Sequence, residues 1–190
     1  MGLGLGFTLV EILVVISLVG IVLGMGFSTL ASTLRSSVKS TIFSQVKQTG
    51  DLTMEIMTRT IRSAIDVCVQ GDDLTIYSSS VNCVSPPSGP STRFRCTEGN
   101  PGGLTDDEQN GKIERFKIDS DGNVVPQASG TLTSGVRVKD GEESCVFAVT
   151  NTIPKRVVID FILTQAVRFG NNVDTAVTIP FHTEISLRNF

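Results

Sequence analysis

The residue with most to explain is Glu11, the one ionisable side chain in GFTLVEILVVISLVGIVLGMGF, residues 6 to 27. Between Phe7 and Phe27 only Thr8, Glu11 and Ser17 carry polar side chains. A carboxylate inside such a run is costly in lipid, and an ionisable group there usually has a functional partner. Its type allows two roles: meeting an opposite charge on another helix and so setting register, or snorkelling inertly to the interface. The second set with chemistry in it is Cys68, Cys83, Cys96 and Cys145. An even count in an exported chain points to disulfides, and four cysteines allow three connectivities. Proximity in sequence favours Cys68–Cys83, tying the helix end to the first hairpin, and Cys96–Cys145, pinning an irregular excursion to the sheet. Closing a loop of about 15 residues stabilises by roughly 3 kcal/mol in the chain-entropy model. A zinc site is the competitor, but no C-x-x-C spacing is present.

Other candidates are weaker. His182 is the only histidine and sits on the polar side of an alternating segment, so a surface histidine with a local partner is expected rather than a metal ligand. DSDGN, 119 to 123, puts its glycine fourth where an EF-hand loop needs it sixth, so a β-turn explains it better. TDDEQNG, 105 to 111, is acidic enough for calcium, with a solvated loop as the simpler reading; no metal and no cofactor are expected. Arg93 and Arg95 flank Phe94 in RFRC, a small basic-aromatic cluster of the kind that touches phosphate and base, yet two arginines make a weak patch. There is no G-x-S-x-G, P-loop or H-E-x-x-H, so no enzyme is expected. A net charge of −3 with 18% charged residues gives no general affinity for nucleic acid.

Position comes from the elements. Residues 7 to 27 as a helix span ~31 Å at the α-helical rise, the thickness of a bilayer core. An ordinary secretory signal fits poorly: the basic n-region is missing, the run is long, and no A-x-A-like site follows. Helical patterning then continues, through Leu30, Leu34, Val38, Ile42 and Val46, and through Leu52, Ile56, Ile61 and Ile65 with small phase slips. The spacing predicts one helix, half in lipid and half amphipathic on a soluble domain, with two helices broken near Gly50 as the alternative. Gly20 and Gly24 form a G-x-x-x-G pattern, which suits either close helix packing or a segment that loosens, unless it reflects only the ordinary frequency of glycine in membrane helices. After about Val69 the period changes. DLTIYSS reads as a strand after Gly71-Asp72, and residues 85 to 111 as a long irregular excursion. KIERFKID and VVPQ read as a hairpin turning at Asp121-Gly122. SCVFAVTN, RVVIDFILTQ and the alternating run from Val177 to Leu187 are further strands, the last two an antiparallel pair. Pro180 places the final strand at an edge or turns its N–H side outward.

Gly6 followed by Phe-Thr-Leu-Val-Glu and an apolar run resembles the class III signal of type IV pilins and pseudopilins. The resemblance implies cleavage after Gly6 by a prepilin peptidase, N-methylation of Phe7, and a meeting of Glu11 with the N-terminal amine of a neighbouring subunit. The family's leaders usually carry Lys or Arg and MGLGLG carries neither, while Arg35 and Lys39 lie beyond the span; the positive-inside rule alone favours the opposite orientation to the family's. The C-terminal EISLRN, preceded by a V-x-I-x-F strand, looks like the end of J-type minor pseudopilins and related minor pilins.

The resulting expectation is an α+β, pilin-like chain whose long N-terminal helix, transmembrane in its first half, packs on a mainly antiparallel β-sheet domain. Its parts would be a leader at 1–6, the transmembrane half of the helix at 7–31, its amphipathic half at 32–70 and a β-rich domain at 71–190. The expected partners are other pilin or pseudopilin subunits, the prepilin peptidase and inner-membrane lipid, with no nucleic acid. The expected location is the bacterial inner membrane, single-pass, with the C-terminal domain outside the cytoplasm. The expected role is structural, in a type II secretion pseudopilus or a type IV pilus near the tip; a minor pilin that binds DNA for uptake is the alternative.

Overall fold

An uninterrupted helix, α1 (Leu9–Arg62), opens the chain. The computed structural model describes residues 8–79, 83, 89–97, 110–139, 145–150, 154–165 and 177–187. Thr8 starts the helix: its carbonyl accepts from the Glu11 and Ile12 amides, and its Oγ1 accepts from Glu11 N–H at 3.3 Å. Thr8 thus satisfies first-turn amides that have no partner inside the helix. The chain divides into two compact units, residues 1–41 and residues 42–190, so the second unit begins within α1.

In the second unit, helix residues 42–62 lie on two antiparallel sheets. The buried stripe is Val46, Gly50, Thr53, Met57 and Ile61, at the three-and-four spacing of one helix face. No break occurs at Gly50. A Cβ built there would run into the Phe181 ring, so glycine lets the helix approach the sheet closely. The helix stops at Arg62, not near residue 70 as its pattern suggested. The Ser63 and Ala64 amides donate to the Thr60 and Ile61 carbonyls and tighten the last turn, and the Ile65 amide donates to Tyr77 O. The Asp66-Val67-Cys68-Val69 stretch, with β-branched Val67 and Val69, then enters a sheet as its first strand.

The first sheet is a meander of β1 (Asp66–Gln70), β2 (Asp73–Tyr77), β3 (Ser91–Thr97), β4 (Lys112–Ile118) and the short β5 (Gly130–Thr131). Gly71 opens the two-residue turn between β1 and β2 with φ 58°, a left-handed conformation natural to glycine. The expected loop from 85 to 111 is corrected by β3, which pairs on both edges. The expected strand VVPQ is corrected too. After a bridge from Ile118 to Val124, Pro126 starts a 3₁₀ turn, Pro126–Ala128, instead of continuing the ladder.

The second sheet is centred on β8 (Arg156–Gln165), with β9 (Thr178–Ser186) along one edge. Along the other edge lie β6 (Val136–Val138) and β7 (Cys145–Thr150) in succession. Val157, Ile159, Phe161 and Leu163, the predicted inner face of β8, are all fully buried, and they share a core with Met57, Ile61, Leu74, Phe94 and Ile113. Each such side chain contributes roughly 1.5–3 kcal/mol through burial. The Phe161 and Phe181 rings stack with centroids 5.2 Å apart. β9 pairs only with β8 among the described residues, which agrees with the edge position read from Pro180.

Candidate functional site

The apolar part of α1 has little that needs a partner, apart from one residue. Ser17 donates to Leu13 O at 2.8 Å, and Thr29 donates to the Met25 and Gly26 carbonyls. In a low-dielectric surrounding such bonds satisfy a hydroxyl within its own helix. Thr8 is used as the helix cap. The Glu11 carboxylate forms no ion pair or side-chain hydrogen bond among the described residues. Its place in the first turn lets the helix dipole favour its charge, but that leaves the ion with no counter-charge.

Around Glu11 the surface is apolar. Leu9, Val10, Ile12, Leu13, Val14, Val15 and Ile16 are each at least half exposed. None of the most apolar 18-residue window is buried. An 18-residue stretch of this character is long and apolar enough to cross a membrane. Gly20, Gly24 and Gly26 have open space where a Cβ would stand, and Gly20 and Gly24, four apart, leave a shallow place on one helix face. The apolar surface also runs past the span, with Leu30, Leu34 and Val38 each well exposed at a spacing of four.

The structure brings together Cys68 with Cys83, Cα–Cα 5.6 Å, and Cys96 with Cys145, Cα–Cα 6.4 Å, both as disulfides. The first ties β1, not the helix end, to the segment after β2. The second ties β3 in one sheet to β7 in the other. Gly6 and Phe7, the expected cleavage and methylation positions, lie outside the described residues, as do residues 105–109 of the acidic loop and the terminal Arg188-Asn189.

The other candidates resolve into local structure. Asp119 Oδ1 accepts from the Asp121 and Asn123 amides, a turn held by its own side chain. His182 Nδ1 meets Asp160 Oδ1 directly across the β8–β9 ladder. Phe94 is fully buried. Arg93 and Arg95 both pair with Asp73, at 3.7 and 2.8 Å, and Arg95 also lies over the Phe116 ring. Asp73, through its hydrogen bond and its charge, raises the Arg95 pKa further. RFRC therefore does not present an aromatic for stacking. A cavity of about 200 Å³ beside the end of α1 is lined by residues including Thr60, Ser63, Tyr77, Ser91, Thr92 and Lys117, with no carboxylate among them.

Sequence reasoning missed the cap. Thr8-Leu9-Val10-Glu11 is a T-x-x-E string, a signature of helix starts. A long apolar N-terminal helix together with antiparallel sheets is a pilin-like layout. Comparison with family models, with curated proteins and with solved structures finds no match.

Proposed function

We propose that this chain is a minor pilin or pseudopilin, a structural subunit of a type II secretion pseudopilus or type IV pilus, placed near the tip. A prepilin peptidase cuts after Gly6, Phe7 becomes the methylated N-terminus, and the helix holds the subunit in the bacterial inner membrane with its β-rich unit outside the cytoplasm. The observation that carries this reading is the Glu11 carboxylate, without an ion pair among the described residues, on an exposed apolar stretch of helix. An ion there is costly until an opposite charge arrives. The new amine at Phe7 supplies that charge from the next copy. It is itself disfavoured at a helix N-terminus by the dipole, so both groups gain when two helices take the matching stagger. Gly20 and Gly24 leave room for close approach along the same helix.

Two measurements test the reading. Mass spectrometry of material from membranes should find a mature chain beginning at Phe7 with one added methyl group. Glu11→Ala should stay membrane-inserted at normal abundance but be absent from sheared filaments. Full incorporation of the variant would overturn the role assigned to Glu11, and material that retains Met1 through Gly6 throughout would overturn the family reading.

A further inference from the structure

β9 (Thr178–Ser186) is the longest strand that has one edge unpaired among the described residues. One step beyond its Ser186–Arg156 pair, Leu187 N–H donates to Lys155 O at 2.9 Å. Hydrogen-bonded and non-bonded pairs alternate along an antiparallel ladder, so this bond fixes the direction of every backbone group on β9. Ile179, Phe181, Thr183 and Ile185 turn their N–H and C=O groups to β8. Pro180, His182, Glu184 and Ser186 turn theirs outward. The bond from Lys139 N–H to Ile162 O, on the opposite edge of β8, fits the same alternation. Pro180, which has no N–H, thus stands where it costs the ladder nothing. Edge strands are usually guarded by proline, lysine, a bulge or short length. Here Pro180 guards only the first half; from Phe181 to Ser186 there is no lysine, and the pairing with β8 has no bulge.

We propose that this edge docks an extended segment of a partner protein, added to the second sheet as a further strand. Only an extended backbone offers donors and acceptors at the ~6.8 Å repeat of every second residue that His182, Glu184 and Ser186 present. The edge also specifies side chains. On the core side Ile179, Phe181 and Thr183 are only half-buried, so the incoming residues on that side are apolar and complete their cover. On the outer face Asp160 and Glu184 stand against one permanent cation, Arg156, with His182 on Asp160. The incoming residue beside His182 and Glu184 is therefore basic. A second copy of this chain fits less well. Another β9 would bring a proline with no donor to give, and would set Asp160 and Glu184 near the same two acids again. The inference does not depend on whether the chain joins a filament.

The experiment follows amide hydrogen exchange by NMR on the full chain in detergent micelles. The probe is a short capped peptide that alternates valine with threonine and carries one central lysine on the threonine side. In the free chain the Phe181, Thr183 and Ile185 amides should exchange slowly and the His182, Glu184 and Ser186 amides fast. Excess peptide should slow the second set on the order of tenfold. Glu184→Pro should abolish that slowing while leaving the β8 ladder whole, because its N–H points away from β8 as Pro180 does. The same peptide N-methylated at the amides that would meet β9 should have no effect, and this comparison stands on wild type if Glu184→Pro does not fold. A peptide with glutamate in place of its lysine should act more weakly. Outward amides already as slow as the inward ones in the free chain would show the edge to be covered and overturn the proposal. So would the absence of any slowing up to the solubility of the peptide, or equal slowing by the N-methylated form. Slowing of the same amides with protein concentration alone would replace the partner segment with a second copy, and equal action of the glutamate peptide would overturn the assigned charge.

Discussion

Replacing Gly50 with alanine separates a helix read by propensity from a helix read by its contacts. In an exposed helix interior, Gly→Ala stabilises by about 1 kcal/mol. At Gly50 the added methyl would meet the Phe181 ring. That ring is not free to retreat, because it stacks on Phe161, which is itself fully buried. Overpacking of this kind costs roughly 1–3 kcal/mol, and disturbing the stack adds about 0.5–1.5 kcal/mol. Set against the propensity gain, Gly50→Ala should destabilise by about 1–3 kcal/mol. Phe181→Ala removes the obstacle, so in that background the same change should turn stabilising by up to about 1 kcal/mol. The coupling from the double-mutant cycle is then ~2–4 kcal/mol, large for one methyl group. Urea unfolding of the full chain in micelles measures it, and the chain carries its own probe. There is no Trp and only one Tyr, and Tyr77 is buried in the unit concerned, so tyrosine emission reports a single site. A stabilised Gly50→Ala protein, or an effect indifferent to Phe181, would refute the close approach of α1 to β9.

Lys155→Met should destabilise by roughly 1–3 kcal/mol by taking the Lys155 cation away from the buried Asp66 carboxylate, which keeps its bond from the Val67 amide; the loss should persist at high salt in the same unfolding assay, whereas a surface pair would be screened. Burial raises the Tyr77 pKa above its ordinary 10.0, while Arg93 and a hydrogen bond with Thr75 pull it down. The folded state therefore holds that proton more tightly than the unfolded one, and Tyr77 contributes stability that is present below the ordinary value and lost as pH rises through the folded one. Tyrosinate absorbance of the native chain should titrate later than that of the urea-unfolded chain, and coincident curves would contradict the burial of Tyr77.

The legible parts of this fold are those in which side-chain type alone reports the environment. β8 and β9 were readable because Val157, Ile159, Phe161 and Leu163 alternate with polar or less buried neighbours, and because Pro180 can serve only at an edge. Glu11 was legible for the opposite reason, as a charge where composition forbids one. β3 was hidden because prolines and glycines crowd both its flanks, and because Arg93 and Arg95 resemble a solvated loop until Asp73 on the adjacent strand is known. The end of α1 was hidden because no glycine or proline marks it; the chain turns on ordinary residues, Ser63 and Ala64, whose amides fold back on the last turn.

The helix stripe shows most clearly where such reading runs out. Periodicity drew Leu52 and Ile65 into the core face, and both are about half exposed. The buried stripe instead includes Gly50 and Thr53, which the pattern left out. Thr53 is tolerated there because its hydroxyl donates back to Thr49 O at 2.8 Å, which leaves its methyl group for the core. Gly50 is selected by a side chain on the last strand, far along the chain. A glycine inside a helix reads as weakness when only its neighbours in sequence are considered, yet here its missing side chain is what lets the helix lie against a sheet. Glu11 poses the same problem one level higher: its meaning depends on a group that the described residues of this chain do not supply. Under the proposed function, a second copy cut to expose its amine would be that partner.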